Sequence, residues 1–142
     1  VTTKKRRFKT IKEYAVFLLV KTDFVDCYGR NIGFDYETIL AKIKREFPHA
    51  RTTKRALRYV LYGIDRKVRL PARHRSRKIL AREFARALLL EINESGVGHS
   101  FETIRLRTRA KFRSAPTISI RTLKSFTDTL AKEKIKLPEK RA

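Results

Sequence analysis

Apolar residues recur along this chain mostly at helical spacing, and the first run sets the pattern. Ile11, Tyr14, Ala15, Leu18 and Leu19 fall at i, i+3, i+4, i+7 and i+8, one face of a helix. Residues 21–33 break that period with Asp23, Asp26, Gly29, Asn31 and Gly33, so a loop is expected there. The stripe resumes with Tyr36, Ile39, Leu40, Ile43 and Phe47. Asp35 stands where its carboxylate can cap the free N–H groups of the first turn, Glu37 adds negative charge there, and Pro48 stops the helix. Thr52 or Thr53 then caps a third helix whose inward face is Leu57, Val60, Leu61 and Ile64. After it, Lys67-Val68-Arg69-Leu70-Pro71 alternates charged and apolar side chains, the pattern of a short strand with one wet face.

The same order then returns. Ala81, Phe84, Ala85, Leu88, Leu89 and Ile92 repeat the first stripe, and Lys12-Glu13-Tyr14-Ala15 matches Arg82-Glu83-Phe84-Ala85. Phe34-Asp35-Tyr36-Glu37-Thr38-Ile39 comes back as His99-Ser100-Phe101-Glu102-Thr103-Ile104, with Ser100 now at the cap. Ala50-Arg51-Thr52 returns as Ala115-Pro116-Thr117, and Ser119 caps a helix that keeps Leu123, Phe126 and Leu130. Lys134-Ile135-Lys136-Leu137-Pro138 repeats the alternating stretch. Echoes in unbroken order point to a tandem duplication. The loop at 93–98 is shorter than its counterpart, which places an insertion near Asp23 to Arg30. The second copy's middle helix is the weaker one, with Arg105 where Leu40 stands and Thr108 where Ile43 stands.

The expected fold is therefore mainly α: two tandem three-helix, helix-turn-helix-like repeats, each followed by a short β-strand or wing. The expected divisions are a basic arm at 1–9, a first repeat at 10–71, a basic linker at 72–78, a second repeat at 79–138 and a tail at 139–142.

Charge turns this plan into a functional expectation. Lys and Arg number 36 against 14 Asp and Glu, a formal net charge of +22. Such a field concentrates polyanions, and nucleic acid is the default partner. No stretch approaches the ~20 apolar residues of a membrane-spanning helix, so a membrane is not expected. With 42% hydrophobic residues the chain has the material for a core and is not a disordered polycation. Its single cysteine, Cys27, excludes an internal disulfide and fits a reducing compartment, cytoplasmic or nucleoid-associated.

The acids are unevenly spread. None occurs from Phe47 to Ile64, and none from Thr103 to Thr127. Both gaps cover the second and third helices of a repeat or the turn between them. In a helix-turn-helix the third helix enters the major groove. With Leu57, Val60 and Leu61 facing inward, that helix presents Lys54, Arg55, Arg58 and Tyr62 outward; aligning Leu123 with Leu57 puts Arg121 over Arg55 and Lys124 over Arg58. Arg51 and Arg113 join them from the preceding turns. Arg69, Arg73, Arg75, Arg77 and Lys78 of the linker, and Lys4, Lys5, Arg6 and Arg7 of the arm, are expected to contact phosphate without reading sequence.

The reading is a non-enzymatic double-stranded DNA-binding protein, regulatory or architectural. It is either a monomeric pseudo-dimer or part of a larger nucleoprotein assembly. The alternative is an RNA-binding structural protein of the ribosome-associated type. Behind it comes a single-chain binder resembling ribbon-helix-helix proteins, and last a metal-dependent nuclease or recombinase built on Asp23, Asp26 and Cys27. His49, His74 and His99 are scattered and give no zinc-ligand spacing, so neither metal nor cofactor is expected. Tyr28, Tyr59 and Tyr62 have faces that could stack on unpaired bases, but packing between the repeats is the expected role.

Overall fold

The computed structural model describes residues 8–74 and 76–142, which form six helices and one small two-stranded antiparallel sheet. Lys4, Lys5, Arg6, Arg7 and Arg75 lie outside the described residues. The chain divides into two compact units: residues 8–23 with 31–74, and residues 24–30 with 76–142.

In the first unit α1 (Ile11–Val20) starts at Thr10, whose hydroxyl accepts from the Glu13 N–H at 3.1 Å. Caps of this kind stabilise a helix by about 1 kcal/mol. The expected stripe is the one buried: Ala15, Leu18 and Leu19 join Phe34, Ile39, Ile43 and Leu57 in a single core. That core is built by packing α1 against both α2 (Tyr36–Glu46) and α3 (Lys54–Tyr62), and α2 against α3. Thr53 is the residue that caps α3, accepting from the Ala56 N–H at 3.2 Å. Asp35 holds the N-cap backbone position of α2, but its carboxylate accepts the Thr38 hydroxyl and makes no side-chain cap bond.

The second unit has the same order of packing, α4 (Arg77–Leu90) on α5 (Phe101–Lys111) and α6 (Ile120–Lys132), and α5 on α6. Ser100 and Ser119 cap α5 and α6, each accepting a backbone N–H at 3.1 Å. Thr108, the polar residue in the weaker stripe, is buried, and it is accommodated because its hydroxyl donates to the Ile104 carbonyl at 2.8 Å. Phe24 and Cys27 add to this unit's interior, Phe24 meeting Phe84 edge-on at 5.3 Å between ring centres.

Beyond the cap at Asp35, four expectations change. Residues 21–33 are a hairpin, with β1 (Thr22–Val25) paired to β2 (Asn31–Gly33), where the pattern predicts a loop. Neither 67–71 nor 134–138 is a strand: in the first Val68 and Leu70 stay 38% and 41% exposed, and in the second Ile135 and Leu137 are only half-buried. Pairing comes just afterwards, as single parallel bridges of Ala72 with Ile32 and of Arg141 with Gly98. Ile92 lies past the end of α4 and is 58% exposed, outside the stripe its spacing suggests. Finally, Arg77 and Lys78 form the first turn of α4 and are not linker.

Candidate nucleic-acid interface

The third helix of each unit has one buried line and one open face, and the open face is where the expected cations lie. On α3, Leu57 is fully buried while Lys54, Arg55, Arg58, Tyr59 and Tyr62 are exposed. On α6, Leu123, Phe126 and Leu130 are buried while Arg121, Lys124, Ser125 and Asp128 are exposed. The turns leading into these helices repeat bond for bond. The Ala50 N–H donates to the Phe47 carbonyl at 2.9 Å, and the Ala115 N–H to the Phe112 carbonyl at 3.1 Å. Arg51 and Arg113 are exposed on those turns.

Among the described residues no acid pairs with Arg55, Arg58, Arg121 or Lys124, whereas Lys54 reaches Glu37 at 3.7 Å. Neither α3 nor α6 has an acid in its first turn, and both carry cations there. That arrangement opposes the helix dipole, which favours anions at the N-terminal end by about 0.3–1 kcal/mol per charge. An external polyanion would reverse the sign of that term.

Arg73, expected to contact phosphate, is bound within its own unit. Its Nε donates to the Phe34 carbonyl at 2.6 Å and its Nη2 to the Leu19 carbonyl at 2.9 Å, with the guanidinium 5.6 Å from the centre of the Tyr36 ring. Arg141, which falls in a charged tail by sequence, repeats this in the second unit. It donates to the His99 carbonyl at 3.2 Å and the Leu89 carbonyl at 2.8 Å, 5.5 Å from the centre of the Phe101 ring. Burial pulls the pKa of both guanidinium groups below the ordinary arginine value, and both stay charged. Gly33 and Gly98 make room for these closures, since a Cβ on either would stand 2.9 Å from the arginine.

The rest of the linker set separates. Arg69 is exposed beside Arg66 and Lys67 in the segment after α3. Lys78 is exposed, and Arg77 donates to the Ser114 hydroxyl.

Of the acidic cluster considered for a nuclease, Asp26 is taken up by its own turn. Asp26 accepts from the Tyr28 N–H at 2.9 Å and from the Arg30 N–H and Nε, each at 2.8 Å. Asn93 does the same in the second loop, accepting from the Ser95 N–H at 2.9 Å and the Val97 N–H at 3.3 Å. Gly29 and Gly96 both take φ +79°, the left-handed conformation such a turn requires. No group of three or more His, Cys, Asp or Glu among the described residues could hold a metal ion. No described helix is long and apolar enough to cross a membrane. Tyr28 donates to the Glu133 carboxylate at 2.8 Å, while Tyr59 and Tyr62 are 64% and 81% exposed, not packed as expected.

No protein family, curated protein or solved structure matches the chain.

Proposed function

We propose that this protein binds double-stranded DNA without catalysis, through two tandem helix-turn-helix-like units whose third helices carry the contacts. One observation carries the reading: matched cations that no acid among the described residues pairs with, on the open faces of α3 and α6, Arg55 with Arg58 and Arg121 with Lys124. Two further features support it, the acid-free runs around both helices and the cations set against the helix dipole. Arg51, Lys54 and Arg113 add phosphate contacts beside each face, and Arg69 and Lys78 add diffuse positive charge. Regulation and architectural packaging both fit such a protein.

Paired substitution is the test. R55A/R58A and R121A/K124A should each weaken duplex binding at least tenfold. Each should also lower the slope of log K against log salt by about two, one unit for every phosphate no longer neutralised. Unchanged slopes in both variants would show that these helices are scaffold only.

A further inference from the structure

The open faces of α3 and α6 match in charge at two positions and then diverge. Beyond Arg58, α3 presents Tyr59 and Tyr62; the aligned positions beyond Lys124 on α6 hold Ser125 and Asp128. The tyrosines are three residues apart, so they share one side of the helix, and at 64% and 81% exposure neither serves the core. The Arg55 guanidinium lies over one face of the Tyr59 ring, 6.0 Å from its centre. At the end of α3 the surface continues into a groove lined by Tyr62, Val68 and Leu70 between Arg66, Lys67 and Arg69. A second concavity joins Tyr59 to Val68 beside Lys12. Exposed aromatic and aliphatic area is thus flanked by four cations, against one acid, Asp65, which lines both concavities and accepts the Lys67 N–H at 3.0 Å.

A protein partner for an apolar patch would meet charge repulsion unless it were acidic, and an acidic peptide has few flat faces for two tyrosines. Unpaired nucleobases satisfy both requirements at once, since phosphates answer the rim and base faces answer the rings. We propose that the face formed by Arg55, Tyr59 and Tyr62, with the groove that follows it, stacks unpaired bases, so that the first unit engages a single-stranded segment adjoining the duplex. This rests on the DNA-binding reading and adds a substrate class to it, a duplex with a single-stranded extension.

The experiment measures the affinity of the full chain for a blunt duplex and for the same duplex bearing a short single-stranded extension containing 2-aminopurine. The extension should raise affinity about tenfold, and the 2-aminopurine fluorescence should fall on binding through stacking. Y59A/Y62A should lose the quenching and bind the extended and the blunt duplex with equal affinity, whatever its affinity for the blunt duplex; Y59F/Y62F should retain both the gain and the quenching. Far-ultraviolet circular dichroism establishes that the variants are folded. Blunt-duplex binding with no gain from the extension, or a gain that survives Y59A/Y62A, overturns this inference alone. Absence of binding to either DNA overturns the DNA-binding reading with it.

Discussion

The Nη2 of Arg141 donates to the carbonyl of Leu89 at 2.8 Å, closing the last described residues of the chain onto the end of α4. Arg73 does the same to the end of α1 through Leu19 at 2.9 Å. In each unit one guanidinium satisfies two carbonyls that a helix end and the following segment leave open, and it lies over the aromatic residue that begins the next helix.

Removing the fork should therefore unfold before it unbinds. R73M and R141M should each lower the free energy of unfolding by about 2–4 kcal/mol, the scale of losing two charge-assisted hydrogen bonds to carbonyls left without donors. Urea titration reads this. R73K should restore only part of the loss, because an ammonium cannot present two fixed, divergent N–H donors. At temperatures where R73M stays folded, its salt slope for DNA should equal that of the native chain, which separates closure from phosphate contact.

The turn at Asp26 offers a second check, because the chain already contains its own control. Asn93 performs the same task with a neutral amide. D26N should cost less than about 1 kcal/mol, whereas D26A, which strips the acceptor from two backbone N–H groups, should cost about 2 kcal/mol or more. Chemical denaturation of the two variants side by side measures the difference.

These two motifs show what the sequence can and cannot reveal. The helices are legible because Leu18, Leu19, Ile39, Ile43, Leu57 and Leu123 keep helical period and are buried as that period requires. The cap residues Thr53, Ser100 and Ser119 are legible for the same local reason. The arginine closures are hidden by a one-residue offset: Arg73 is two residues after Pro71, Arg141 three after Pro138, so alignment on the prolines separates them. Their action also depends on contacts spanning 54 and 52 residues, beyond any local pattern. The hairpin is hidden because its polar and glycine residues carry the pattern of a loop, although Asp26 and Gly29 are spaced as Asn93 and Gly96 are. Its added length lies in the residues flanking the turn, while the same turn forms at Asp26 and at Asn93.

Cys27 makes stability depend on alkaline pH. Burial first, then the Glu83 and Asp26 carboxylates, push its thiol pKa above the ordinary value, with Arg86 opposing. The folded state therefore holds its proton to higher pH than the unfolded state. The stability this contributes is fully present below the unfolded pKa and is lost as pH rises through the folded one. Urea midpoints of the native chain should fall faster above about pH 8.5 than those of C27A, with parallel behaviour below that pH. Identical slopes for the two proteins on the alkaline side would remove this role from Cys27.

Service of duplex DNA by the open, cationic faces of α3 and α6 is a proposal about binding preference. It is tested most directly by competing a random-sequence duplex against a matched RNA hairpin for the full chain over a series of salt concentrations. The duplex should win at every salt, with a steep linear fall of log K against log salt that flattens by about two units in R55A/R58A and again in R121A/K124A. Preference for the RNA hairpin across the whole series would contradict it.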